Sequence, residues 1–167
     1  DCRFRVNYAH DENHLFVAVE VRDDVIVSKP NIMPWNQDGI RVGIDFRSPQ
    51  FHRLPSIPSI NGTVFLATSP TPGDGMDSTY LYQAGAHLPK GSQICNRQVP
   101  GGYNLEVAIP LSSLKNLYGD AWLSEGLRLN IAVNDRDDDD LQAQLWWQPD
   151  WRNQTNIPAS GTLLFGE

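Results

Sequence analysis

"PWNQDGIRVGIDF", residues 34–46, carries the pattern on which the fold reading turns. Ile40, Val42, Ile44 and Phe46 fall on one side of an extended chain, and Arg41, Gly43 and Asp45 on the other. That is the period-two signature of a half-buried strand. The same alternation recurs outward in both directions. Phe4, Val6 and Tyr8 lead into the turn residues "AHDENH" (9–14), and Leu15, Val17, Val19 and Val21 follow, which reads as a hairpin. Tyr103, Leu105, Val107 and Ile109 alternate up to Pro110, as do Leu127, Leu129, Ile131 and Val133. Shorter strands are expected at 64–68, 80–84, 93–99, 143–147 and 162–165. Proline-rich connections separate them at 22–34 and 47–62, and a Pro/Gly-rich one at 69–78. "LSSLKNLYG" (111–119) is the one helix-like stretch.

Eight to ten short strands with long loops and one short helix make an all-β chain. The expected fold is an antiparallel β-sandwich of immunoglobulin-like or jelly-roll type, with 1–167 as a single domain. The chain opens on "DCRFRVNYA", already strand-like, so it reads as a piece excised from a longer protein.

Thirteen Lys/Arg against 20 Asp/Glu give a formal charge of −7. That balance argues against nucleic acid and against anionic membrane surfaces, which reward clustered cations. No apolar run approaches the ~20 residues of a membrane span. Cys2 and Cys95 are the two cysteines, read equally as one disulfide or as two buried thiols. Asn61 and Asn153 head N-x-T triplets, which matter only in a secreted eukaryotic protein.

Signs of catalysis are sparse. Neither G-x-S-x-G nor H-E-x-x-H occurs, and no glycine-rich phosphate loop is present. His10, His14, His52 and His87 all fall in expected turns or loops. Glu106 sits on a strand face; a glycosidase would need a second carboxylate across a cleft, and a structural carboxylate is the plainer reading.

Aromatic and acidic residues are more informative. Of five tryptophans, Trp146 and Trp147 are adjacent in a strand and must point to opposite faces. Trp35 and Trp151 fall in loops. Two readings stand for that pair: caps on the ends of the core, or a stacking platform. Indoles held about 7–8 Å apart can sandwich a pyranose ring between its apolar faces. The run "NDRDDDD" (134–140) offers Asp135, Asp137 and Asp138 as hard oxygen ligands suited to calcium, without the EF-hand spacing; a solvated acidic turn is the other reading.

Five blocks in order are similar to carbohydrate-binding module family 9: "NHLFVAVEVRDD" (13–24), "PWNQDGIRVGIDF" (34–46), "GGYNLEVAIPLSSL" (101–114), "LRLNIAVNDRD" (127–137) and "LWWQPDWRN" (145–153). The resemblance implies a non-catalytic β-sandwich of a secreted, extracellular or periplasmic protein that binds calcium structurally. It also implies a saccharide terminus clamped between two tryptophans, by position Trp35 and Trp151, with Gln37, Arg41, Asn134 and Arg152 as polar neighbours. The chain departs from the family pattern where hydroxyls are bonded. Arg41 stands where sugar-binding members carry glutamate, Ala132 where they carry glutamine, and Phe65 and Ala67 near their arginine and asparagine. The alternative is therefore a sandwich that has lost the sugar and serves as a structural or interaction domain. The same broad fold hosts haem-binding domains, for which Met33 or Met76 with His87 are the available ligands.

Overall fold

Alternation in the sequence becomes alternation of burial along 14–22 and 102–110, whereas 39–45, expected to be half-buried, is buried at every position but Arg41. The computed structural model describes residues 2–47, 63–71, 81–83, 90–113, 126–138, 141–148 and 161–164. Four strands form one antiparallel sheet in the order β1-β2-β7-β6: β1 (Arg3–His10), β2 (His14–Arg22), β6 (Gln93–Val99) and β7 (Gly102–Pro110). The second sheet runs β10-β8-β3-β4-β5, from β3 (Gly39–Asp45), β4 (Thr63–Thr68), β5 (Leu81–Gln83), β8 (Leu127–Asp138) and β10 (Gly161–Leu163). Its sixth strand, β9 (Leu141–Trp146), pairs with β8 further along the edge that β10 occupies.

The sheets meet through their apolar faces. Leu15, Val17, Val19 and Val21 of β2 and Tyr103, Leu105, Val107 and Ile109 of β7 face Ile40, Val42 and Ile44 of β3 and Leu129, Ile131 and Val133 of β8, all buried in one cluster. Tyr103 ties the layers together, its hydroxyl donating to the Asn134 carbonyl at 3.4 Å. The β1–β2 turn is closed by Asp11, whose Oδ1 accepts the amides of Asn13 at 2.7 Å and His14 at 2.6 Å, an Asx turn.

Three expectations change. Among the described residues the helix-like stretch is only a 3-10 turn, Leu111–Ser113; 114–119 lie outside them. The acidic run is not a turn at its start. β8 continues to Asp138, which pairs with Leu141, so Asp135 and Asp137 extend the core-facing side beyond the apolar residues. The cysteines do not bridge: both are free thiols. Cys2 precedes β1 and Cys95 lies in β6, on opposite edges of a four-stranded sheet. Three strand spacings, about 14 Å, exceed any disulfide reach.

Candidate functional site

The outer face of the six-stranded sheet is the candidate ligand face, and register builds it. Arg41 of β3 lies opposite Ala67 of β4 on one side and Ala132 of β8 on the other; Ala132 in turn pairs with Trp146 of β9. One cross-strand row thus reads Ala67, Arg41, Ala132, Trp146. Both alanines are buried although they face outward, and only Ala132 separates the two large side chains in the row. Arg41 leans across Ala132, and its Cζ lies 5.7 Å from the Trp146 ring centroid, within cation–π range. Burial lowers the Arg41 pKa from its usual value. One row along, Gly43 pairs with Phe65 on one side and Asn130 on the other, and is buried. Asn130 is spent internally: its Oδ1 accepts the Gln148 amide at 3.0 Å and its Nδ2 donates to the Gln148 carbonyl at 2.9 Å.

Trp146 and Trp147 part as their adjacency requires. Trp147 packs against the core, with Gly161 flat beneath it; a Cβ there would lie 2.7 Å from the ring. Trp146 takes the outer face.

Trp35 sits half-buried on a 3-10 turn, Pro34–Asn36, laid against the start of β3. Asn134 Nδ2 donates to the Pro34 carbonyl at 3.0 Å, Gln142 Nε2 to the Trp35 carbonyl, and Arg136 to the Asn36 carbonyl. Three side chains from β8 and β9 therefore hold the turn by its backbone. Gly39 makes the close approach possible: a Cβ there would lie 2.8 Å from the Pro34 oxygen and 2.9 Å from the Thr68 oxygen. Gly39→Ala is expected to lift the turn off the strand at a cost of about 1–3 kcal/mol, as overpacking does; a lowered urea midpoint with an unchanged m-value checks this.

Gln37 and Asn134 do not offer their amides to a ligand. Gln37 is buried; its Oε1 accepts the Lys29 amide at 2.6 Å and its Nε2 donates to the Ile32 carbonyl at 3.0 Å, pinning the 25–38 loop. Asn134, also buried, holds Pro34 and accepts Gln144 Nε2 at 2.7 Å. Their role is to position Trp35. Trp151 and Arg152 lie outside the described residues, as do His52, His87, Met76, Asn61 and Asn153. Glu106 is exposed on the outer face of the other sheet, between Ala18 and Cys95.

Carboxylates gather at one end of the sandwich, between the sheets. Asp23 and Asp24 follow β2, and Asp137 reaches them from β8, with one oxygen of each within 4.8 Å of the others; Cys2, Asp23 and Asp135 form an overlapping group. A calcium ion with ligands at 2.3–2.6 Å spans oxygens up to about 5 Å apart, so the spacing fits. Oxygens of Asp23, Asp135 and Asp137 are buried without a hydrogen-bond partner among the described residues. Burial, and after it repulsion, shows in the acidities of Asp23 and Asp135. Burial and then neighbouring aspartates raise the pKa of Asp135, and burial, with Asp135, Asp137 and Asp24, raises that of Asp23. Burial pushes Asp38 up to about 7 even though the amides of Val27 and Arg136 donate to its carboxylate, and it pushes the Cys2 thiol to about 12. The sequence pointed to Asp135 and Asp137; it missed Asp23 and Asp24, whose signal was an acidic doublet directly after a strand. Only the position of Asp138, at the end of β8, is described.

No family model matches this chain, and no curated protein does. Solved structures do. A carbohydrate binding module family 9 domain from Caldicellulosiruptor kristjanssonii, in complex with cellotriose, superposes with a TM-score of 0.72 over 96% of this chain and 73% of that one, at 16% identity. Another, in complex with glucose, gives 0.75 over 99% and 78%, at 19% identity. The sandwich described above is therefore the fold of family 9 modules.

Proposed function

We propose that on this fold the chain works as a non-catalytic carbohydrate-binding module, holding a saccharide terminus against the outer face of the six-stranded sheet. One observation carries the reading: three side chains and a glycine hold the turn that bears Trp35 against the six-stranded sheet, whose outer face also bears Trp146. Indoles stack on the C–H face of a pyranose and exclude water there. Trp35 is the fixed half of the clamp, and Trp151 is assigned as its partner, with Arg152 beside it. Both neighbours were solved with sugars, which supports the assignment of this chain to the same class of ligand.

Calcium belongs to the same proposal. Asp23, Asp24, Asp135 and Asp137 would hold it, supplying charge neutralisation between the two sheets and no chemistry. Asp23 opens the loop that bears Trp35, and Asp38, near its end, accepts the Arg136 amide at 2.7 Å. Stiffening the cluster therefore stiffens the platform. Secretion, with the domain appended to a larger protein, fits a module of this kind.

A glycan array of neutral and acidic oligosaccharides followed by isothermal titration tests the reading. Trp35→Ala is expected to weaken the best ligand about tenfold or more, the stacking and burial of one indole face. No binding by the wild type, or equal binding by the variant, overturns it and favours a structural or interaction domain.

A further inference from the structure

We infer that the saccharide this face takes is anionic: a carboxylate-bearing sugar, such as a terminal hexuronate, with Arg41 as the specificity-determining residue. The inference rests on the proposed saccharide site and names its ligand class.

Arg41 is half-buried on the proposed face, its guanidinium laid against Trp146. No carboxylate among the described residues pairs with it, and burial alone perturbs its acidity. An arginine taken partly out of water, with no carboxylate among the described residues beside it, is a costly arrangement that a bound carboxylate relieves. Its planar fork matches a carboxylate with two parallel donors. The rest of the face agrees. Its outward positions on β3 and β8 are Gly39, Arg41, Gly43 and Asp45, and Arg128, Asn130, Ala132, Asn134 and Arg136. Asp45, the one acid in those rows, is already bonded through both oxygens to Arg47. Among the described residues, Asp23, Asp24, Asp135 and Asp137 are gathered away from this row, at the sandwich end. Ala67 and Ala132 flank Arg41 where a neutral sugar would need donors and acceptors for its hydroxyls. One charged, bidentate contact replaces them.

The test compares ligands differing only at one carbon. Isothermal titration is run with cellobiose and cellobiouronic acid, and with glucose and glucuronate, against wild type, Arg41→Gln, Arg41→Lys and Arg97→Gln. Arg97, exposed on the other sheet, controls for general attraction of anions. The wild type is expected to favour each uronate over its neutral counterpart about tenfold or more, the worth of a charge-assisted bidentate contact. The advantage disappears in Arg41→Gln, survives in part in Arg41→Lys, and is unchanged in Arg97→Gln. Equal or better binding of the neutral sugars by the wild type, or a uronate preference that persists in Arg41→Gln, overturns the inference and leaves the saccharide site standing. Binding of none of the four sugars overturns the inference, and the glycan array decides the saccharide site separately. A purely structural Arg41 would shift the melting temperature of Arg41→Gln without moving the uronate-to-neutral ratio.

Discussion

Asp45→Ala is expected to destabilise the domain by about 3–5 kcal/mol, the cost of breaking a buried ion pair from one side. Asp45 and Arg47 are both fully buried. Arg47 Nε donates to Asp45 Oδ1 at 2.8 Å, and Nη2 to Oδ2 at 2.6 Å, a fork-to-fork contact; the Arg47 amide donates to Oδ1 as well, at 3.1 Å. Desolvating two ions is expensive, and the geometry offsets it only while both are present. Removing the acid takes both fork contacts from a guanidinium buried at the end of β3. The double variant Asp45→Leu/Arg47→Met, which removes both charges, is expected to recover most of the loss. Urea melts of the wild type, the single and the double variant measure this. A single variant within about 1 kcal/mol of wild type would mean that the pair is hydrated in solution.

Chelation is expected to have the second largest effect. If calcium fills the Asp23–Asp24–Asp135–Asp137 cluster at about a hundred times its dissociation constant, it adds about 2.7 kcal/mol. For a domain of this size that is about 5–10 °C in melting temperature, lost on adding EDTA. The pH dependence of the stripped protein carries its own sign. Asp38 has its folded pKa raised to about 7 from an ordinary 3.8, and those of Asp23 and Asp135 are raised too. A raised folded pKa gives stability that is fully present below the unfolded value and is lost as pH rises through the folded one. In EDTA the melting temperature should therefore fall between about pH 4 and pH 7. Asp11, lowered by the amides of Asn13 and His14, acts with the opposite sign and below that window. Calcium binds the deprotonated carboxylates and should flatten the fall. Identical melts with and without EDTA at pH 8 would remove calcium from the account. Since Asp23 and Asp38 bracket the loop that carries Trp35, chelation should also weaken saccharide binding.

Much of this molecule was legible in the chain. Alternation in "GIRVGID" and "GYNLEVAIP" determined both the strands and which side of each meets the core, because the side-chain period of a strand is two. It likewise determined that Trp146 and Trp147 part company. It did not determine that β3 is buried on both faces at every position but Arg41. Local pattern is silent on which strand lies beside which. Only the register of β3, β8 and β9 brought Arg41 over Ala132 to Trp146, residues 105 positions apart in sequence number, and only the packing of two sheets brought Asp23 of one to Asp137 of the other. The same limit applies to Gln37 and Asn134. Their polarity suggested hydroxyl partners; burial showed that backbone carbonyls and amides had claimed them first, since a buried donor without a partner costs more than a ligand contact returns. Residue types were set by the sequence, but which of them face a ligand depends on strand order, because neighbours across a sheet are chosen by the core they share.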